Sequence, residues 1–291
     1  LSSSSAASDV YKRQAKLLAM PLGNLKVIAS EIGGGFGGKT TVYLEPIALI
    51  LSRKSGRPVK MMMDRDEVFR ASGPASAARL TVKVGGKKDG TITAMQTSIA
   101  YEAGAFKGSP AMIGGMTAFT PYNCPNVYCE TFDVVVNKPK VAAYRAPGAP
   151  QAEFGAEMAV SELAEKLGID PVDLRLQNAA KEGTQTVYGP KLKAVGLVEC
   201  LEAAKNSPHY KTELKEGEGR GIASGFWFNI GGQSSVTINM NPDGTGTIVE
   251  GSPDIGGSRA SMQMMASEEL GIPLNDLKPI IGDTESIPYN L

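Results

Sequence analysis

A stretch of backbone almost without side chains constrains this 291-residue chain more than any other feature. Five of the six residues from Gly33 to Gly38 are glycine, and the sixth is Phe36. Glycine reaches backbone dihedrals closed to other residues and lets the main chain approach a ligand closely. Apolar runs precede the loop at 25–29 and follow it at 42–51. We predict a strand, a glycine loop and a helix, with backbone N–H groups facing a bound group.

Two functional interpretations of this loop are open, beside that of a tight, flexible turn. The first comes from spacing, because Gly33 and Gly38-Lys39-Thr40 match the phosphate-binding pattern G-x-x-x-x-G-K-[ST]. A nucleotide hydrolase also needs an acidic residue after a second strand to hold magnesium, and Asp64 is the candidate. This hypothesis gives no role to the proline- and glycine-rich stretch 144–151. The second interpretation is a resemblance, which depends on several segments together.

Composition excludes some classes of protein. The hydrophobic content of 42% and the charged content of 21% are typical of a globular chain. Thirty basic residues balance thirty acidic ones, which gives little electrostatic support to nucleic-acid or membrane-surface partners. No apolar stretch approaches the length that crosses a bilayer.

The cysteines and the single histidine argue against several site types. Cys124, Cys129 and Cys200 are too few and too irregularly spaced for a disulfide framework or a structural zinc site. They fit a reducing compartment, and we expect a cytoplasmic location. His209 lies in a polar stretch and is expected to be surface, so histidine-based metal sites and Ser-His-Asp triads within this chain are set aside.

The pattern of apolar residues and breakers predicts an α+β chain. Helices are expected at 15–20, 41–54, 150–167, 171–180, 197–205 and 259–270. Strands are expected at 25–29, 58–63, 79–84, 91–101, 127–136, 221–229, 235–241 and 245–250. Asp89-Gly90 predicts the turn of a hairpin, and 104–125 is predicted to be a long loop. A second small-residue loop at 251–258 repeats the order of strand, glycine loop and helix.

The ends and the polar stretch 211–219 give the expected domain limits. Residues 1–14 begin with serine and alanine and contain no long apolar centre, so we interpret them as a non-native tail. Residues 15–215 form the first predicted domain and 216–291 the beginning of a second, incomplete one. We interpret the chain as an internal fragment of a longer protein.

Four ordered segments resemble the molybdenum hydroxylases, the family of xanthine dehydrogenase, aldehyde oxidase and carbon monoxide dehydrogenase. Residues 32–39 resemble the first cofactor loop of that family, and 48–67 the helix and strand that follow it. Residues 143–151 (Ala-Tyr-Arg-Ala-Pro-Gly-Ala-Pro-Gln) resemble its arginine-containing second segment, and 251–271 its third. The resemblance covers essentially everything from Ala15 onward.

The resemblance implies a cofactor site and its residues. Phe36 and Gly37 would lie near a molybdenum atom without ligating it, and Arg145 would contact the anionic cofactor through paired N–H donors. Phe226 and Trp227 fall where the family places an aromatic wall, with core packing on a strand as the alternative. The implied cofactor-binding residues are Gly34, Gly35, Phe36, Gly37, Arg145, Ala146, Pro147, Gly256, Gly257 and Ser258. The implied substrate pocket consists of Pro147, Phe226 and Trp227.

The resemblance also implies a fold and an activity. It indicates mixed sheets with packed helices in two molybdopterin-binding domains, the second truncated. The parent enzyme would oxidise an aldehyde or N-heterocycle with oxygen from water. Its cofactor would be molybdenum-molybdopterin, in a dinucleotide form. Partner subunits with 2Fe-2S clusters and FAD would form a hetero-oligomer with it. The catalytic glutamate of the family would lie beyond Leu291, so the fragment alone is expected to be inactive.

Departures from the family pattern concern specificity. Thr40 stands where many members have glutamate, and Pro147 where phenylalanine is frequent. The third loop is one residue shorter and lacks a common glutamine. These differences argue against a purine-specific xanthine dehydrogenase and leave the substrate open. A non-catalytic homologue that has lost its cofactor stays open as well.

Overall fold

A computed structural model describes residues 12–28, 32–229, 234–251 and 254–287. Their contacts divide them into two compact units whose chain segments alternate. The first unit comprises the described residues up to Pro74, Ala142–Arg145 and those from Asn229 onward. The second unit comprises Ala75–Val141 and Ala146–Phe228. None of the helices in the described ranges combines the length and apolarity needed to span a bilayer.

The second unit is built on a mixed sheet of three long strands, here called the large sheet. Strands β1 (Ala78–Gly86) and β2 (Ile92–Gly104) are antiparallel, and β3 (Val127–Val135) lies parallel to β2. The β1–β2 hairpin turns at Asp89-Gly90 as predicted. Gly90 has a φ of 88°, and Asp89 Oδ1 accepts a hydrogen bond of 2.9 Å from Thr91 N.

A helix with a face of small residues covers the large sheet. Helix α5 (Ala149–Leu167) buries Ala152, Ala156, Val160 and Ala164 at helical spacing. The packing is close at Gly155, where a Cβ would lie 3.1 Å from Leu80 Cδ2 and the leucine side chain would have to shift. Helix α4 (Ala111–Thr117) connects β2 to β3. The core between these elements includes Ile92, Met95, Ile99, Tyr101, Phe119, Tyr122 and Leu174.

Three further helices complete the second unit. Helix α5 ends at Gly168 in the left-handed conformation, and α6 (Pro171–Asn178) begins at once. Asp170 caps α6, because its Oδ1 accepts hydrogen bonds from Val172 N and Asp173 N at 2.8 and 3.1 Å. Helices α7 (Leu197–Asn206) and α8 (Pro208–Lys211) follow.

The described part of the first unit contains four α-helices and a second mixed sheet, here called the small sheet. Residues 12–18 form α1, followed by α2 (Glu45–Ser55) and α3 (Arg65–Ala71). In the small sheet, β4 (Val236–Met240) and β5 (Gly246–Glu250) are antiparallel, and β6 (Leu277–Ile281) is parallel to β5. Helix α9 (Ser258–Leu270) connects β5 to β6 and buries none of its residues. The prediction of an α+β fold with mixed sheets is confirmed.

Several predicted elements of the first unit are wrong. Residues 25–28 form no regular strand; Ile28 makes one isolated bridge with Asp283, and Ala29 lies outside the described residues. Residues 58–63 were predicted to be a buried strand but are irregular, with Met62 84% exposed, because no neighbouring strand pairs with them. Helix α2 starts at Glu45, later than the predicted residue 41, and Gly56 ends it as predicted.

Two predictions in the second unit also need correction. The predicted loop 104–125 contains helix α4. Residues 221–229, predicted to be a strand, have no regular secondary structure. Their backbone hydrogen bonds explain the difference, because Ser224 N and Phe226 N donate to carboxylates of α5 rather than to another strand. Of the predicted non-native tail, residues 1–11 lie outside the described residues, and Gln14 is 2% exposed in α1.

Candidate functional site

The glycine loop of the first unit folds into two consecutive turns. Gly38 N donates to Gly35 O at 2.9 Å, and Thr40 N donates to Gly37 O at 3.2 Å. The hydroxyl of Thr40 donates to the same Gly37 carbonyl at 2.7 Å. Phe36 has a φ of 50°, a left-handed conformation that costs a non-glycine residue energy and is often found at functional sites. The turns therefore fix the backbone of an otherwise permissive sequence.

The arginine segment lies directly against this loop. Arg145 N donates to Phe36 O at 2.7 Å. Gly37 has a φ of 92°, and a Cβ there would lie 2.9 Å from Ala143 O, so both the dihedral and the space require glycine. The rings of Phe36 and Tyr144 lie 6.4 Å apart with a 43° interplanar angle, and both side chains are more than half exposed. The sequence alone gave Tyr144 no role.

The third segment contacts the beginning of the glycine loop. Gly33 and Ile255 form a parallel bridge, and Gly256 N donates to Gly33 O at 3.1 Å. Gly256 and Gly257 both have positive φ, and α9 begins immediately after them. Arg259 closes the turn, because its N and Nε donate to the Asp254 carboxylate at 3.1 and 2.9 Å. Of the predicted third loop, Ser252 and Pro253 lie outside the described residues.

The arrangement leaves donors available to an anionic group. Within the described parts of the chain, the N–H groups of Gly35, Phe36 and Gly37 have no hydrogen-bond partner, and neither does the exposed Arg145 guanidinium. A Cβ at Gly33, Gly256 or Gly257 would meet no atom within 4 Å. Helix α9 adds a positive dipole end behind two left-handed glycines. These features fit a bulky anionic group, as a phosphate-bearing metal complex would be.

Comparisons with known proteins give the family of this chain. Two family models, both described as molybdopterin cofactor-binding domain, match residues 1–179 and 194–291. This chain belongs to the molybdopterin cofactor-binding family. The prediction of two such domains is thereby confirmed.

Relatives of this family member include subunits of oxidoreductases. The putative xanthine dehydrogenase molybdenum-binding subunit of Escherichia coli K12 is 32% identical over 94% of this chain and 39% of its own length. The nicotinate dehydrogenase large molybdopterin subunit of Eubacterium barkeri is 35% identical over 66% of this chain and 46% of its own length. The chain thus spans less than half the length of these relatives.

A solved structure supports the same fold. The aldehyde oxidoreductase of Desulfovibrio desulfuricans superposes with a TM-score of 0.81 and 26% identity over 94% of this chain and 33% of that one. The fold of this family member therefore corresponds to about a third of that aldehyde oxidoreductase chain.

The remaining predicted site residues lie in the second unit. Ala146 follows Arg145 with a φ of 56°, and Pro147 precedes α5. Phe226 and Trp227 belong to an aromatic cluster with Tyr188 and Phe228, in which the centroids of Phe226 and Phe228 are 5.1 Å apart and those of Trp227 and Phe228 are 5.6 Å apart. Trp227 is 43% exposed, so the cluster has an open side.

The nucleotide-hydrolase hypothesis does not fit the described loop. In a phosphate-binding loop the helix starts at the lysine and threonine, but α2 starts only at Glu45. Lys39 Nζ donates to Ile32 O at 2.5 Å. Asp64, the proposed magnesium ligand, caps α3 through a capping box with Glu67. The spacing match is therefore a consequence of glycine-rich composition.

Sequence reasoning missed a buried polar centre in the second unit. Glu157 of α5 accepts hydrogen bonds from Arg175 Nε at 2.8 Å, from Ser224 N at 2.7 Å and from the Tyr122 hydroxyl. Burial next to Glu157 raises the pKa of Tyr122 well above its usual value. The available signal was weak, since a glutamate and an arginine 18 positions apart on two helices suggest no contact. Among the described residues, no three His, Cys, Asp or Glu side chains cluster as a metal site would require.

Proposed function

We propose that this chain is part of an oxidoreductase that oxidises an aldehyde or an N-heterocycle with oxygen from water. One observation carries the proposal, beside family membership. The segments around Phe36, Arg145 and Gly256 are joined in the first unit by hydrogen bonds from Arg145 N to Phe36 O and from Gly256 N to Gly33 O. Three distant stretches that meet with free N–H donors are what a large anionic cofactor requires.

We assign the following roles to the chain's own residues. Gly34, Gly35, Phe36 and Gly37 present backbone to the cofactor, and the fixed left-handed Phe36 orients the loop. Arg145 binds anionic oxygen or sulfur atoms through its planar donors, supported by Ala146 and Pro147. Gly256, Gly257 and Ser258 receive the phosphate-bearing end at the start of α9. The bound molybdenum–pterin group supplies the two-electron oxidation chemistry.

The substrate class is proposed from the names of the relatives and from the aromatic cluster. The names of the relatives mention xanthine, nicotinate and aldehyde, two of which are N-heterocycles. Phe226 and Trp227, with Pro147, are proposed to line the pocket of a planar substrate. The open side of their aromatic cluster supports this role, because an exposed Trp ring offers a stacking surface.

We also propose partner subunits and domain limits for this chain. Because relatives are called subunits, we propose an iron–sulfur subunit and a flavin subunit as partners that remove the electrons, in a cytoplasmic hetero-oligomer. The domain limits 15–215 and 216–291 stay a proposal. The two family-model matches leave a gap at residues 180–193, before the proposed limit.

The test uses the full-length subunit that contains this chain. Molybdenum is measured by mass spectrometry and pterin by the fluorescence of its oxidised form. We expect both in equal amounts, and an Arg145→Ala variant should retain several-fold less of each. Arg57→Ala, an exposed arginine outside the site, is the matched control and should retain both.

Two results would count against the proposal. A full-length protein without molybdenum and pterin would indicate a non-catalytic homologue. Equal cofactor content in Arg145→Ala and Arg57→Ala would remove the assigned role of Arg145. For the substrate side, Trp227→Ala should raise KM for a planar aldehyde or heterocycle while cofactor content is unchanged.

A further inference from the structure

A cavity of about 560 Å³ lies in the second unit between α5 and the irregular segment 220–225. Its lining residues all belong to 150–171 and 220–225, so none of them comes from the glycine loops. Most of its lining surface is apolar, and α5 contributes Phe154 and Met158, which are 68% and 50% exposed. Cavities of this size and character bind small molecules whose few polar groups are placed specifically.

One carboxylate in this cavity has an unused oxygen. Glu153 Oε1 accepts a hydrogen bond of 2.9 Å from Phe226 N, whereas Oε2 receives none from the described residues. A Cβ at Gly225 would lie 2.9 Å from Oε2, so glycine at this position keeps the approach to that oxygen open. Burial, with a contribution from neighbouring Glu157, raises the pKa of Glu153 to about 7.

The other charged groups around the cavity differ from Glu153 in their partners or their exposure. Glu157 is held by Arg175, Ser224 and Tyr122, as described above. Arg220 donates through Nη1 to Tyr210 O and through Nη2 to Thr212 O and lies 5.4 Å over the Tyr210 ring, whereas its buried Nε has no hydrogen-bond partner in the described residues. Glu165 is exposed at the far end. Tyr101 is close enough to Glu153 for the carboxylate to raise its pKa further. Glu153 is therefore the acidic group with spare hydrogen-bonding capacity.

Ser224 adds a second polar group without a partner. The residue lines the cavity and is 7% exposed, and its Oγ has no hydrogen-bond partner in the described parts of the chain. A buried hydroxyl without a hydrogen-bond partner destabilises the folded protein. Rotation of the Ser224 side chain about its Cα–Cβ bond would let a ligand form the missing hydrogen bond. It can accept a hydrogen bond from a ligand donor next to Glu153.

We propose that this cavity binds a small primary amine with an apolar body, whose ammonium group pairs with Glu153 Oε2. The apolar part would contact Phe154 and Met158. An anionic ligand is disfavoured, because the carboxylates of Glu153, Glu157 and Glu165 all line the cavity against one arginine, Arg220, whose two Nη atoms already donate to backbone carbonyls. The ammonium restores the charged form of Glu153, so binding near neutral pH releases a proton from the carboxyl group to the solvent.

Calorimetric titration of the purified protein tests the proposal with three probes of one shape. Benzylamine, benzyl alcohol and benzoate are compared at pH 7. A charge-assisted hydrogen bond should give benzylamine an advantage of about ten-fold or more over benzyl alcohol, and benzoate should bind least. At pH 6.5, titrations in buffers with different ionisation enthalpies should show proton release with benzylamine. No release should accompany benzyl alcohol.

Two variants make the result specific to Glu153. Glu153→Gln keeps an acceptor for Phe226 N and should lose both the preference for benzylamine and the proton release. Glu165→Gln, on the same helix, should keep both. Benzoate binding more tightly than benzylamine, or an unchanged benzylamine preference in Glu153→Gln, would overturn the proposal. So would the absence of binding by all three probes at millimolar concentration.

Discussion

The two sheets have one topology but differ in how well their own unit covers them. Each consists of a hairpin that turns at Asp-Gly, then a helix that leads to a third strand parallel to the second. In the large sheet, buried and partly exposed residues alternate along β2, and Ile99 and Tyr101 are fully buried. The helix over this sheet, α5, packs against it with small side chains. In the small sheet the central strand β5 also alternates, with Ile248 buried, but β4 is mostly exposed and α9 buries no residue. The topology alone therefore does not create a core; the helix must present a face that matches the sheet.

The largest expected effect is the loss of unfolding free energy when the buried ion pair of the second unit is broken, compared with the loss for a partly exposed pair in the first unit. Arg175→Leu leaves the Glu157 carboxylate buried without its cation and should cost about 3–5 kcal/mol of unfolding free energy. Arg259→Leu removes a partly exposed pair with Asp254 and should cost far less. Urea unfolding of both variants provides the measurement.

A second substitution distinguishes a lost charge from lost packing. Adding Glu157→Gln to Arg175→Leu removes the unpaired carboxylate and should recover a part of the stability. If the double variant is no more stable than Arg175→Leu, the cost comes from the arginine's packing and hydrogen bonds rather than from the buried charge.

Matched truncations in the central strands compare the cores directly. Ile99 in β2 and Ile248 in β5 are 0% and 1% exposed. We expect Ile99→Ala to cost about 4 kcal/mol, because a tightly packed core collapses little around a cavity, and Ile248→Ala about 2 kcal/mol. Amide hydrogen exchange assigns each loss to its unit. Equal costs would mean that the small sheet is as well packed as the large one.

The pH dependence of stability should come in part from Glu153 of the second unit. Its pKa is raised from 4.5 to about 7 in the folded protein, so the folded state binds the proton more tightly than the unfolded state. Stability contributed by the protonated carboxyl is present below about pH 4.5 and is lost as the pH rises through 7. After allowance for partial exposure, the loss amounts to about 1–2 kcal/mol. Thermal unfolding at pH 5 and pH 8 measures it. Glu153→Gln should flatten this decline and Glu165→Gln should not.

The smallest expected effect concerns a helix end in the first unit. Asp64 and Glu67 form a capping box at the exposed helix α3. Asp64→Ala should cost about 1 kcal/mol or less, as measured for caps elsewhere. Hydrogen exchange should show the loss in α3 alone. The control is Asp66→Ala, two residues further along in the first turn of α3. A loss spread over the small sheet would mean that α3 supports more of the first unit than its exposure indicates.

Local signals in the sequence predicted the second unit better than the first. Asp89-Gly90, Gly168 and Pro171 specify a turn, a helix end and a helix start within a few residues, and all three are found as predicted. Residues 25–29 and 58–63 have strand-like composition, but a strand also needs a partner strand, which no short window reveals. The strand predicted at 221–229 does not form for another reason. The backbone N–H groups of Ser224 and Phe226 donate to side-chain carboxylates of α5 instead of to a neighbouring strand.

The candidate site was likewise only partly predictable from the sequence. The glycine loop, the arginine segment and the second glycine loop were recognisable from residue types and from resemblance. Their contacts were not, because they join residues more than 100 positions apart, as Arg145 N to Phe36 O does. Glu153 carried no motif at all. Its unusual chemistry comes from burial and from Gly225, which only the fold brings next to it.

The alternation of chain segments between the units has a consequence for synthesis on the ribosome. The second unit ends at Phe228, whereas the first unit begins before it and needs strands up to Ile281. The unit that is translated first is therefore the last to be completed. We expect the large sheet and α5 to form early, while the glycine loop can pair with Arg145 but not yet with Gly256, which emerges later. The candidate site around Phe36, Arg145 and Gly256 would then be completed late in the folding of this chain.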